Sequence, residues 1–93
     1  MPFLKPDRRP QIRHPQGHPI DVIATFKKTG ELKPLYFRVE DDRQERFIFM
    51  LSKAYERRNF NFVMTFECSY EAFGQQNFIV LLFDVTTNNW RIG

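Results

Sequence analysis

Apolar and polar positions alternate along most of this chain, and that alternation predicts its architecture. Asp21 to Lys27 reads D-V-I-A-T-F-K and Leu32 to Glu40 reads L-K-P-L-Y-F-R-V-E, with Lys28-Thr29-Gly30-Glu31 between them. A period of two argues strands, and the glycine supplies a residue able to take positive φ, so Pro19 to Glu40 is read as a β-hairpin. Val22, Ala24 and Phe26 share one face of its first strand. Leu35, Phe37 and Val39 form the apolar face of the second, with Tyr36 and Arg38 opposite. Pro34 has no N–H to give a ladder, which places the start of the second strand at an edge or a bulge.

Alternation returns from Asn59 to Tyr70, where Phe60, Phe62, Met64, Phe66, Cys68 and Tyr70 line one face. Ala72-Phe73-Gly74-Gln75 reads as a turn. Asn77 to Val85, N-F-I-V-L-L-F-D-V, is apolar on both faces, as expected of a strand covered on both sides or lying at an interface. Thr86 to Asn89 turns the chain again, and Trp90-Arg91-Ile92 reads as a short closing strand.

Residues 43–58 support two readings. As a strand, Arg46 to Leu51 puts Phe47, Phe49 and Leu51 on one face. As a helix, Asp42 and Glu45 give a capping-box-like start, and Phe47, Ile48, Met50, Leu51, Ala54 and Tyr55 cover one arc. Ser52 to Arg58 are good helix formers and poor strand formers. The pattern favours a short strand over Arg46–Leu51 followed by a turn or one short helix. Five or six strands joined by short turns predict a mainly β fold, a small antiparallel barrel or curved sheet of SH3-like or OB-like connectivity.

Pro19-Ile20, Val22-Ile23-Ala24, Phe26, Gly30, Pro34-Leu35, Phe37-Arg38 and the late Trp90 resemble the pattern of a group of short, uncharacterised bacterial proteins. The resemblance spans about residues 19–92 and rests on structural positions. It implies no activity, cofactor or functional residue.

Residues 1–18 read as a separate arm ahead of a single β domain over 19–93. Pro2, Pro6, Pro10 and Pro15 prevent a helix or central strand from propagating there. The arm also carries the charge. Lys5, Arg8, Arg9 and Arg13 against Asp7 account for the whole net charge of +3, and the remaining ten basic and ten acidic residues cancel. The expectation is a solvated tail, or one in which Phe3 and Leu4 dock on a neighbour or the arginines meet phosphates. The start has no apolar signal-type run, the longest apolar stretch (Phe78–Phe83) is far short of a membrane span, and Cys68 has no partner for a disulfide. A reducing, cytoplasmic setting without membrane association is therefore expected.

Chemistry is sparse. His14 and His18 are separated by Pro15 and Gly17, which forbid the helix that would bring them onto one metal, so no metal site is expected. Cys68 alternates with Phe66 and Tyr70 and reads as a buried structural thiol. Glu40, Asp41, Asp42 and Glu45 lack the spacing of a calcium loop. The four glycines are scattered, and no nucleophile-elbow, zinc-protease or Cys-x-x-Cys motif occurs. The chain is therefore expected to be no enzyme and to hold no cofactor.

Two functions remain. The first is a non-catalytic protein-interaction or self-association module, a homo-oligomer or the binder of a protein partner. Eleven Phe, three Tyr and one Trp exceed what so small a body readily hides. Ile79, Leu81 and Phe83 are its candidate interface, against a core that absorbs every aromatic. The second is a nucleic-acid-binding module, in which Arg8, Arg9 and Arg13 track phosphates beside Tyr36 and Arg38, with Lys27, Lys28 and Lys33 in support.

Overall fold

The computed structural model describes residues 15–40, 43–57 and 61–93, and of 58–60 the backbone alone. Six strands follow in chain order: β1 (Asp21–Phe26), β2 (Leu32–Glu40), β3 (Arg46–Phe60), β4 (Val63–Ala72), β5 (Gln75–Asp84) and β6 (Asn89–Ile92). They form one antiparallel sheet in which every strand neighbours the next, β1-β2-β3-β4-β5-β6. The sheet curls into a half-barrel, and the described residues contain no helix. This next-neighbour path is not the Greek-key path of an OB-fold.

Strand β3 reconciles the two readings of residues 43–58. It is one strand of 15 residues whose opening portion pairs with β2, from Glu40↔Arg46 to Tyr36↔Met50, and whose remainder pairs with β4. Register shifts after Leu51 and after Glu56 bend it from one neighbour to the other. The short helix considered within 43–58 is absent. A helix there would strip β4 of its partner, whereas pairing Lys53–Phe60 with Val63–Ser69 satisfies the backbone of both strands and overrides local propensity. The strand read from Asn59 to Tyr70 is likewise divided. Asn61 and Phe62, at φ 50° and 63°, form the two central residues of a hairpin turn.

The bulge suggested by Pro34 is present. Ile23 pairs with Tyr36 and Ala24 with Pro34, so Leu35 is skipped. The face changes parity there. Leu32 and Pro34 are buried before the bulge, Phe37 and Val39 after it, and Leu35 is half-buried rather than part of the inner face. β2 meets β3 only from Tyr36 onward, so Pro34 faces no ladder on that side. Phe26, expected inside, is exposed because this end of the β1–β2 hairpin runs past its neighbours.

The two ends of the sheet meet. The Gly17 N–H donates to the Ile92 carbonyl at 2.6 Å, the Ile92 N–H to His18 at 2.9 Å, and the Ile20 N–H to Trp90 at 3.2 Å, around a bridge between Pro19 and Arg91. Gly17 and His18, assigned to the arm from composition, thus pair with β6. Backbone atoms make these bonds, and side-chain composition does not announce them.

Inside, two aromatic clusters divide the core. Phe37 lies edge-on to Tyr70 at 4.8 Å between ring centroids, half-buried Phe47 and Phe49 extend that group, and the exposed Phe73 caps it from the β4–β5 turn. Trp90 joins Phe66 at 5.7 Å and Phe83 at 4.9 Å in the other. Leu81, wholly buried, and Ile79 belong to the same core.

Candidate interaction surface

The residues read as an interface are not on a surface. Ile79, Leu81 and Phe83 are 3%, 0% and 8% exposed, inside the curl. The apolar run Phe78–Phe83 does present both faces, but curvature makes them unequal. Odd-numbered residues enter the core, while Val80 and Leu82 are half-buried and Phe78 is exposed on the outside. The parity of the expected interface is therefore reversed, because period-two alternation cannot say which side of a strand apolar on both faces is concave.

The surplus apolar surface lies elsewhere, on the outer face of β1, β2 and β3. Cross-strand register builds it as a grid. One row is Ile23–Tyr36–Met50 and the next is Asp21–Arg38–Ile48. Ile23, Ile48 and Met50 are each at least 60% exposed, and Tyr36 is 37% exposed. Opposed residues on neighbouring strands stand about 4.5–5.5 Å apart, so these side chains form one surface rather than scattered points. A hollow of about 260 Å³ opens among Asp21, Val22, Ile23, Tyr36, Phe37, Arg38 and Ile48.

Charge frames the grid. The Arg38 guanidinium donates from Nε and Nη2 to Oδ2 of Asp21, the Nε contact at 3.1 Å. Below it, Arg46 pairs with Glu40 at 3.4 Å. Above it, Thr25 lies opposite Lys33. The result is an apolar centre with a polar rim.

Of the nucleic-acid candidates, Tyr36 and Arg38 lie side by side on this face, while Arg8, Arg9 and Arg13 lie outside the described residues. Arg38 is not a bare cation, since Asp21 neutralises it. Other cations are similarly held: Arg57 by Glu67 at 2.8 Å, Lys27 by Glu31 at 3.5 Å and Arg91 by Asp84 at 3.8 Å. Arg38 and its neighbours therefore form a balanced surface rather than a positive track.

Sequence reading missed Ile48, Met50, Phe62 and Phe78 as exposed. The first two were legible as the outward alternates of a strand from Arg46 to Leu51. Phe62 sits in the β3–β4 turn at φ 63° and is 75% exposed, a costly conformation for a large residue.

Other chemistry is thin among the described residues. No group of three His, Cys, Asp or Glu side chains is placed to hold a metal ion, and no helix is long and apolar enough to cross a membrane. Cys68 is buried between Ala54 and Ile79 on the neighbouring strands, and burial pushes its thiol up to about 12 from an ordinary 9.0. Such a thiol stays protonated and is a poor nucleophile. No family model, curated protein or solved structure matches this chain.

Proposed function

We propose that this chain is a non-catalytic protein-interaction module that meets its partner with the outer face of β1, β2 and β3. The observation that carries the reading is the contiguous exposure of Ile23, Tyr36, Ile48 and Met50 in adjoining register positions, framed by paired charges. Contiguous apolar patches rimmed by polar residues are the usual mark of a partner site. Full burial of such side chains contributes roughly 1.5–3 kcal/mol each when they start fully exposed, and these four start 37–64% exposed, so together they supply a gross of about 3–7 kcal/mol. Association costs about 4–15 kcal/mol, so this grid acts as the centre of a larger contact, and its rim completes the footprint.

A nucleic-acid role has less behind it. Residues 15–93 carry as many acidic as basic side chains, and Arg38 is spent on Asp21. Its support would have to come from Arg8, Arg9 and Arg13.

Replacing both Ile23 and Ile48 by Lys tests the reading. These are exposed positions, so the variant keeps the wild-type circular dichroism spectrum. In cell extract, the wild-type chain elutes from size exclusion in a complex larger than itself, and the variant elutes alone. A variant that still elutes with the complex overturns the proposal.

A further inference from the structure

Among the described residues, four stretches of strand run with one side open: residues 21–26 of β1, 32–35 of β2, 51–57 of β3 and 75–79 of β5. Residues 46–50 of β3 also lack a paired strand toward β4, but Phe73 from the β4–β5 turn packs across Phe47 and Phe49 on that side. Unpaired edges invite other strands, and proteins blunt them with charge, proline and bulges. Three of the four are blunted. β1 has Asp21 and a register shift after Ile23. β2 has Lys33 and Pro34. β3 has Lys53, Glu56 and Arg57 and two register shifts. The fourth has nothing of the kind. Gln75 to Phe83, Q-Q-N-F-I-V-L-L-F, contains no charge, no proline and no glycine, and its pairing with β4 runs without a shift.

The polarity of that edge follows from its last hydrogen bond. The Val80 carbonyl accepts from the Gly93 N–H, on the side away from β4. Backbone groups alternate sides along an antiparallel strand, so Gln76 and Phe78 also turn their N–H and C=O away from β4. β6 pairs with β5 only from Leu81 onward, and among the described residues no backbone group partners those four. Phe78 adds an aromatic ring, 76% exposed, on the outer face beside them.

We propose that the Gln75–Ile79 edge of β5 pairs antiparallel with the same edge of a second copy, joining two sheets across a two-fold axis. A second copy fits for reasons of charge and symmetry. Gln75–Ile79 is uncharged, so no like charges face each other across the two strands of the joint. An antiparallel strand pairing with itself is isologous, so the outward N–H and C=O groups of each copy meet their counterparts. The outer-face rings of Phe78 and its counterpart then lie close to the axis on one side of the joined sheet.

The test is amide hydrogen exchange on the purified full chain at low-micromolar and near-millimolar concentration, with sedimentation in parallel. Gln76→Pro removes an N–H that faces the edge and leaves the β4 ladder intact. Gln76→Lys places a charge at the same point and serves if the proline variant does not fold. The proposal expects a dimer at high concentration, slowing of the Gln76 and Phe78 amides by about tenfold or more as it forms, and loss of both effects in the variants. A wild-type chain that stays monomeric overturns it, as does protection of these amides that is independent of concentration. Association that survives the Gln76 variants but is lost in Ile48→Lys overturns edge pairing while leaving the outer-face reading intact.

Discussion

Phe62 and Phe73 both occupy the left-handed region in two-residue hairpin turns, at φ 63° and 53°, yet their surroundings differ. Phe73 lies across the rings of Phe47 at 6.0 Å and Phe49 at 6.2 Å. Phe62 is 75% exposed. One turn ring packs against two rings at the margin of the core, and the other stands largely in solvent.

Opposite stability effects are therefore expected at the two turns. Phe62→Gly restores the Asn-Gly pair preferred by such a turn and relieves a left-handed aromatic, raising stability by about 1 kcal/mol. Phe73→Asn makes the same turn improvement beside Gly74 but removes ring contacts, and it lowers stability by about 1 kcal/mol or more. Urea unfolding of both variants measures the pair.

Truncation separates the inside of the curl from the outside. Leu81→Ala removes a wholly buried side chain and costs about 2–5 kcal/mol. Ile48→Ala, on the outer grid, changes stability by less than about 0.5 kcal/mol. Equal losses at the two positions would contradict the assignment of faces.

Alkaline pH should weaken the fold through Cys68. Its thiol has a folded pKa raised to about 12 by burial, above the ordinary 9.0 of an exposed thiol. Below pH 9 both states keep the proton and the thiol contributes no pH dependence. Between 9 and 12 the unfolded chain loses the proton more readily, and stability falls by up to about 1.4 kcal/mol per pH unit. Burial raises the Tyr70 hydroxyl as well, which adds to the loss above its ordinary 10.0. Cys68→Ala flattens the curve between pH 9 and 10. In the native state the thiol resists a disulfide reagent and reacts on unfolding.

The ion pair between Arg38 and Asp21 is a surface pair, with side chains 45% and 70% exposed. Arg38→Ala changes thermal stability by less than about 1 kcal/mol at moderate salt. Its place is at the rim of the grid, where charge selects orientation more than it adds affinity.

The β class, the hairpin at Pro19–Glu40, the irregularity at Pro34 and the closing strand at Trp90 were legible because each has a local cause: alternation, a missing N–H, a glycine turn. What was not legible depended on partners distant in sequence. Ser52 to Arg58 prefer helix in isolation, and only the approach of Val63–Ser69 makes them strand. The Asn61-Phe62 turn was hidden because a phenylalanine stands where glycine would have signalled it. The inner face of β5 cannot be chosen from a stretch apolar on both faces, so Ile79, Leu81 and Phe83 read equally as interface or as core. Tyr36 and Arg38 were singled out for phosphate and base contacts, but their neighbours Ile23, Ile48 and Met50 became visible only with the register.

The central claim is that the outer face of β1–β3 touches a protein, and site-specific photo-crosslinking from position 36 in living cells tests it most directly. Tyr36 is replaced by a photoreactive phenylalanine analogue, a change of similar shape at the middle of the grid. The account predicts a discrete protein adduct that disappears when Ile23 and Ile48 are both replaced by Lys. Adducts to nucleic acid alone, or no adduct above that of the same probe placed at Glu71, would contradict it.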